Sequence, residues 1–381
     1  MTANRRFPSP LQFLVIFGCG GALACAPLMR SVLPDRFLFD DGHVQAVIDN
    51  PGLAPEDPSF HVLAGFYRML GIATSPSMAS TLAVFLLIIC VLLAVRFSDW
   101  SHLGYVGAGM LVVTLGLGLV YLAQYTKELF SLLVTVTVLI ALKLRGGWLR
   151  SILIIGAPLT YGLLVRPYWL IIAAFIPAVY LTTRRVKHPL PILICIVLAY
   201  IGLALAFQMV RGEQLGATRD YVNLGRQDTA VATLISTPDL GPSLAAGVLA
   251  ILVVAGQLIV PIPLFAMGDP YYVIAGVVIF GLWAIVGCAL FSGRGRSDAR
   301  TGWILSVLVS LFIVLVIFEP DYGSYIKHLT PFLPLFLALV PVTPNPMTSP
   351  EIDSRRSQST HEQLVAPAHV GKESAKEDAT R

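Results

Sequence analysis

Residues 81–95, TLAVFLLIICVLLAV, contain no charged side chain, and runs of this kind recur along the sequence. This repetition constrains the fold more than any other feature. Stretches approaching the ~20 residues of a bilayer-crossing helix belong in lipid, where a helix satisfies its own backbone hydrogen bonds. The composition agrees: of 381 residues, 56% are apolar and 13% are charged, against about 25% charged in a soluble domain. Mean hydropathy is +0.77. The expected fold class is all-α, a polytopic integral membrane protein. The formal net charge of +4 says little in such a chain, where the distribution of charge matters more. Cys19, Cys25, Cys90, Cys195 and Cys288 fall within apolar runs, without a CxxC pair. They read as small buried hydrophobes.

Spans are expected at residues 11–29, 79–97, 103–123, 129–143, 151–165, 168–182, 189–208, 270–291, 303–318 and 329–343, about ten in all. Several are nearer 15 residues, roughly three quarters of a crossing, which points to tilted partners or to spans ending in a cavity. Arg5-Arg6 before the first run and Ala24-Cys25-Ala26 at its end also fit a signal peptide. The run's length and the spans after it favour a retained helix, and either way the next segment lies outside. Lys and Arg in short loops set the orientation. Arg5-Arg6, Arg96, Lys143-Arg145-Arg150 and Arg184-Arg185-Lys187 fall on the cytoplasmic side in alternation. Arg294, Arg296 and Arg300 belong there too, which a single crossing by the apolar stretch 243–268 would forbid. Pro261 and Pro263 interrupt that stretch and break a helix, so it is expected to be re-entrant. The transmembrane domain then covers 1–343, with outer loops 30–78, 209–242 and 319–328. The tail 344–381, rich in Ser, Thr, Pro and mixed charge, is expected to be disordered and cytoplasmic.

On this topology the ionisable residues gather outside. Asp40 and Asp41, beside His43, read either as a base or metal-holding pair or as a solvated loop. Arg166 lies in GLLVRPYWLII, between two basic loops. A helix of ~15 residues rises only ~22 Å, short of the ~30 Å apolar core, so Arg166 is expected below the outer surface, at the bottom of a water-filled dip. A buried arginine is costly and marks function; the ordinary alternative is an ion pair with Glu128 or Glu319. Its planar fork suits phosphate oxygens, and Pro167 is expected to break the helix there. Lys127-Glu128 is a further candidate, or a plain interfacial pair. TRDYVNLGRQD puts Arg219 and Arg226 two turns apart, able to grip a pyrophosphate from one helix face or simply to be solvated. In FEPDYGSYIKHLTPFLP, Glu319, Asp321, Lys327 and His328 with intervening tyrosines fit a sugar pocket or a charged turn. DPSFHVLAGFYRMLG aligns Phe60, Leu63, Tyr67 and Leu70 on one face of a helix expected on the membrane surface.

The sequence has no P-loop, no GxGxxG after a strand, no HExxH and no room for a soluble nucleotide-binding domain. That argues for a donor already carried in the membrane. No cofactor, no metal and no nucleic-acid partner is expected.

The segments FDDGHVQAVI, DPSFHVLAGFYRMLG, YTKELFSLLV, LLVRPYWL and EPDYGSYIKHLTPFLPL cover most of residues 37–340. In order and spacing they resemble the bacterial membrane polysaccharide polymerases of the EpsG/Wzy-like group, and more broadly the GT-C membrane glycosyltransferases. The resemblance implies glycosyl transfer between lipid-linked sugars at the outer face of the inner membrane, polymerising repeat units of an exopolysaccharide or O-antigen. The implied partners are a polyprenyl-diphosphate-linked oligosaccharide, the lipid bilayer and other glycan-assembly membrane proteins. Arg166, with Arg219 or Arg226, would hold the diphosphate, and Asp40-Asp41 resembles the acidic pair of GT-C enzymes. The expected roles are catalytic for Asp40, Asp41, Glu319 and Asp321, and substrate-binding for Lys127, Arg166, Arg219, Arg226, Lys327 and His328. The chain departs from both groups in its modest late outer loop and its lack of a large periplasmic domain. Two other readings stand beside this one: a transporter or flippase for a lipid or polar solute, and a non-catalytic subunit of a glycan-assembly complex.

Overall fold

The structure is a computed structural model that describes residues 10–55, 57–95, 104–186, 190–224 and 233–340. The expectations for Arg5-Arg6, Arg96, Lys187, Arg226 and the tail 344–381 lie outside these residues. Among the described residues the protein is helical, with one isolated antiparallel bridge between Leu234 and Asp321 and no strand.

The helices are α1 (Pro10–Cys25), α2 (Phe39–Asp49), α3 (Ser59–Met69), α4 (Pro76–Ala94) and α5 (Gly104–Leu122). Next come α6 (Glu128–Ala141), α7 (Gly147–Leu164), α8 (Trp169–Arg185), α9 (Leu190–Arg211) and α10 (Ala217–Leu224). The last are α11 (Leu244–Ile259), α12 (Ile262–Ala266), α13 (Pro270–Phe291), α14 (Ala299–Phe318), α15 (Tyr322–Leu329) and α16 (Leu333–Leu339). Among the described residues, seven segments are long and apolar enough to cross a bilayer: α1 with its extension to Val32, α4, α5, α7, α9, α13 and α14. The chain is thus a multi-pass membrane protein in its architecture. α6 and α11 are equally apolar but have 14 and 16 residues.

α14 is the centre. Every residue from Gly302 to Ile317 is buried, as expected of a helix that is hydrophobic on all sides. α8 lies closest along it, and Tyr180 stacks on Trp303 with ring centroids 3.7 Å apart. Gly302 makes room for this approach: a Cβ there would lie 3.2 Å from Arg184 Cδ and 3.3 Å from a Tyr180 ring carbon of α8.

Prolines set the breaks. α7 stops at Leu164, Arg166 and Pro167 form the turn, and α8 starts at Trp169, since the residue before a proline disfavours helix. α11 stops one residue before Val260-Pro261, as its apolar stretch predicts. The expected last span, 329–343, is a bent helical path as far as the described residues run: α15 already begins at Tyr322, a 3-10 turn at Thr330–Phe332 holds Pro331, and Pro334 sits in the first turn of α16.

Side-chain contacts define two ends of the bundle. At one, Arg184 donates to the Arg296 carbonyl, Arg294 to the Leu339 carbonyl and Arg300 to the Ala94 carbonyl. At the other, Asp41 pairs with Arg30, the Tyr125 hydroxyl donates to the Ala73 carbonyl, and Arg36 lies over the Tyr271 ring.

Two sequence expectations fail on packing. The face of α3 carrying Phe60, Leu63 and Tyr67 is buried against the protein, with Leu63 and Tyr67 fully covered. α2 supplies a protein surface for it, so this face does not lie on lipid. Of the cysteines, Cys90 is buried, whereas Cys25, Cys195 and Cys288 are exposed on the outside of the helices.

Candidate functional site

The polar end gathers charges from five separated segments. α2 contributes Asp40 from its first turn. The turn before α6 contributes Lys127, and the first residue of α6 is Glu128. The α7–α8 turn contributes Arg166. The residue after α14 is Glu319, and α15 carries Lys327 and His328 in its last turn.

These side chains pair in two linked sets. Lys327 Nζ donates to Asp40 Oδ2 at 2.6 Å. Lys127 pairs with Asp57, and its ammonium lies 3.6 Å from the Phe60 ring centroid. In the second set, Arg166 Nη2 is 3.0 Å from Glu128 Oε1, and Arg166 Nη1 donates to the Tyr168 hydroxyl at 3.2 Å. His328 sits between two carboxylates: Nδ1 is bonded to Glu319 Oε1, and Nε2 is 3.4 Å from Glu128 Oε1. The charges of Lys127 and Arg166 both act on Asp40, which ties the sets together.

Burial is deep for the acids. Glu128 and Glu319 are 1% and 2% exposed, and Asp40 is 7% exposed. Burial pushes the Asp40 carboxyl up, but the Lys327 ammonium, helped by Arg166 and Lys127, outweighs this and holds it below the ordinary aspartate value. Glu319 is likewise held low: burial raises it, and its bonded partner His328 more than offsets that. Lys127 is lowered by burial despite Asp57 and Asp40. Arg166 stays charged, because Glu128 and its neighbours outweigh its desolvation.

The other residues singled out in the sequence stand apart. Asp41 points away from Asp40, accepting from the Tyr125 N–H at 3.0 Å and pairing with Arg30 Nε at 2.7 Å. Burial dominates there and raises its carboxyl. Asp321 caps α15 by accepting from the Ser324 N–H at 2.8 Å. Arg219 is fully buried and donates to the Glu319 carbonyl at 2.8 Å and to Thr237. Burial lowers its guanidinium to about 10, against the opposing charges of Asp220 and Glu319. It braces the backbone under Glu319. Arg226 lies outside the described residues. His43 is an aromatic packing group, stacked on Phe60 at 5.0 Å.

The tyrosines of the last motif are also packing residues and do not line a sugar face. Tyr325 is fully buried and accepts from Trp283 Nε1 at 2.7 Å, and the Tyr322 hydroxyl donates to the Gln257 carbonyl. Sequence reasoning passed over Asp57 and Arg30, the partners of Lys127 and Asp41. Asp57 carried a readable signal, since it precedes Pro-Ser and accepts from the Ser59 N–H at 2.9 Å as a helix-start residue does.

Chemically, the cluster offers three cations beside a low-pKa carboxylate, and one imidazole oriented by a buried acid. The 3.4 Å separation at His328 Nε2 is too long for a strong hydrogen bond, so this nitrogen is held more loosely than Nδ1. Neither a family model, nor a curated protein, nor a solved structure matches the chain.

Proposed function

We propose that the chain transfers glycosyl units between lipid-linked sugars at the outer face of a bacterial inner membrane, lengthening a surface polysaccharide. The observation that carries this reading is the convergence of Lys127, Arg166 and Lys327 with Asp40, Glu128, Glu319 and His328 at one end of an apolar bundle. Ion pairs this buried add little net stability, so a retained cluster of them favours a chemical use. The cations suit a diphosphate, whose charge grows as it leaves the anomeric carbon. In the resting state each cation holds one of the chain's own carboxylates, so an incoming diphosphate exchanges with Asp57, Glu128 or Asp40.

Among the acids, Asp41 and Asp321 are occupied structurally, and Asp40 is held low by Lys327. His328, oriented by Glu319, is therefore the base in this scheme. The acceptor hydroxyl oxygen forms the new bond to the anomeric carbon, its proton passes to His328 Nε2, and the carbon–oxygen bond to the diphosphate breaks.

The chain path supports an outer location. Taking the arginine-rich end as cytoplasmic, α1, α4–α9, α13 and α14 cross in alternation, and α15–α16 make a tenth, bent crossing. In this reading α11 and α12 do not cross, which is supported by Gln257 meeting Tyr322 and Tyr271 meeting Arg36, both at the polar end. A charge cluster at one end favours this reading over a transporter, which places its site near the midplane.

The test is the chain-length profile of surface glycans with the gene deleted, restored and restored as Arg166→Lys. Deletion is expected to leave single repeat units, and restoration to return long chains. Arg166→Lys is expected to lose most polymer, about a hundredfold, with normal protein in the membrane. An unchanged profile on deletion overturns the polymerase reading; full activity of the variant overturns the role of Arg166.

A further inference from the structure

Away from the charge cluster, a cleft of about 210 Å³ opens between the end of α9 and the start of α11. Gln208, Glu213 and Gln214 line it, with Ala204, Leu215 and Leu244 as its apolar wall. Leu244 also begins a second, apolar groove that continues between the same two helices along Ile201, Ala245, Val248, Leu249 and Leu252. A polar cleft and an apolar groove thus share one wall, as the two halves of an amphipathic molecule require.

The cleft presents several hydrogen-bond acceptors. Glu213 Oε2 is buried and has no hydrogen-bond partner among the described residues. One of the two Gln214 side-chain amide hydrogens is donated to the Gly241 carbonyl at 3.0 Å, which fixes the amide and orients its oxygen as an acceptor. The last carbonyls of α9 add the negative end of a helix. Among the described residues, no lysine or arginine lines the cleft. The depth also fits: Met209 and Val210, 86% and 83% exposed, put the end of this apolar helix where chains meet head groups, with Arg211 next.

We propose that this site holds a bilayer phospholipid with a primary ammonium head group. The ammonium donates to Glu213 and Gln214, Arg211 faces the lipid phosphate, and one acyl chain lies along the Ile201–Leu252 groove. Charge complementarity selects the occupant: a carboxylate oxygen without a hydrogen-bond partner among the described residues, beside further acceptors, favours a cation that can donate several hydrogen bonds. The site is independent of glycosyl transfer and stands or falls separately.

Native mass spectrometry of the detergent-purified full chain tests it, with phosphatidylethanolamine, phosphatidylcholine and phosphatidylglycerol of matched chains as probes. Phosphatidylethanolamine is expected to be retained about tenfold better than the other two. Glu213→Gln is expected to abolish that preference, and Glu213→Asp to keep it. Ala245→Phe, at an exposed groove position, is expected to weaken retention of all three by filling the chain site. Equal retention of phosphatidylethanolamine and phosphatidylcholine by the wild type overturns the proposal. So does a preference that survives Glu213→Gln, or stronger retention of a glucosyl diacylglycerol.

Discussion

Asp40 and Asp41 are neighbours in sequence with opposite circumstances. Asp41 is tied to Arg30 and a backbone N–H, and burial raises it; Asp40 faces Lys327, which holds it low. A depressed carboxyl stabilises the fold above its unfolded pKa, ~3.9, and that contribution disappears as pH falls through the lower folded value. Asp40→Asn is therefore expected to destabilise the protein near neutral pH. With the Asp40 and Lys327 side chains 9% and 20% exposed, the cost lies between a surface pair and a buried one, about 2 kcal/mol. Thermal melts in detergent are expected to show the gap between wild type and variant shrinking as pH drops below the usual aspartate range. A gap constant with pH would show that the ion pair is not its source. Both aspartates and Arg166 could be picked out by their scarcity in an apolar sequence. Their partners could not, because Lys327 is 287 residues from Asp40 and nothing local links them.

At the scale of elements, the helix breaks that build the site were legible because proline acts locally. Pro167 ends α7 and puts Arg166 in the turn; Pro261 ends α11. Helix packing was less legible, since it depends on which faces meet. α7 and α8 approach so closely at Gly162 that a Cβ there would lie 2.8 Å from the Leu170 backbone nitrogen. Backbone cannot give way as a side-chain tip can. Gly162→Ala is expected to cost about 1–3 kcal/mol, read as a lower melting temperature. Gly65→Ala, inside α3 with no atom within 4 Å of the added Cβ, is expected to be neutral or to raise it by up to ~1 kcal/mol of helix propensity. Equal effects at the two positions would remove close packing as the cause. The amphipathic face of α3 makes the same point: its period was readable, but not whether protein or lipid covered it.

For the whole molecule, the path of the chain turns on α11 and α12. In a background without native cysteines, Pro242→Cys and Ala266→Cys are both expected to react with a membrane-impermeant maleimide from outside the cell. Ser297→Cys is expected to react only after the membrane is opened. Labelling of positions 242 and 266 from opposite sides would make α11 a crossing and invert every later segment, moving Glu319 and His328 away from Asp40. The close pairing of Asp40 with Lys327 is what such an inversion would have to break.

The sequence by itself determined the membrane, the helices and their breaks, because hydropathy, helix length and proline act over one or two turns. It also marked the costly charges, since few others compete for notice in so apolar a chain. Only the tertiary structure decided which charges meet. It put Arg166 on Glu128, placed His328 between two buried acids, withdrew Arg219 beneath the Glu319 backbone and turned Tyr325 into the core. Those outcomes depend on the packing of α14 against its neighbours, which sets the distance between residues hundreds apart and leaves no mark on the residues beside them.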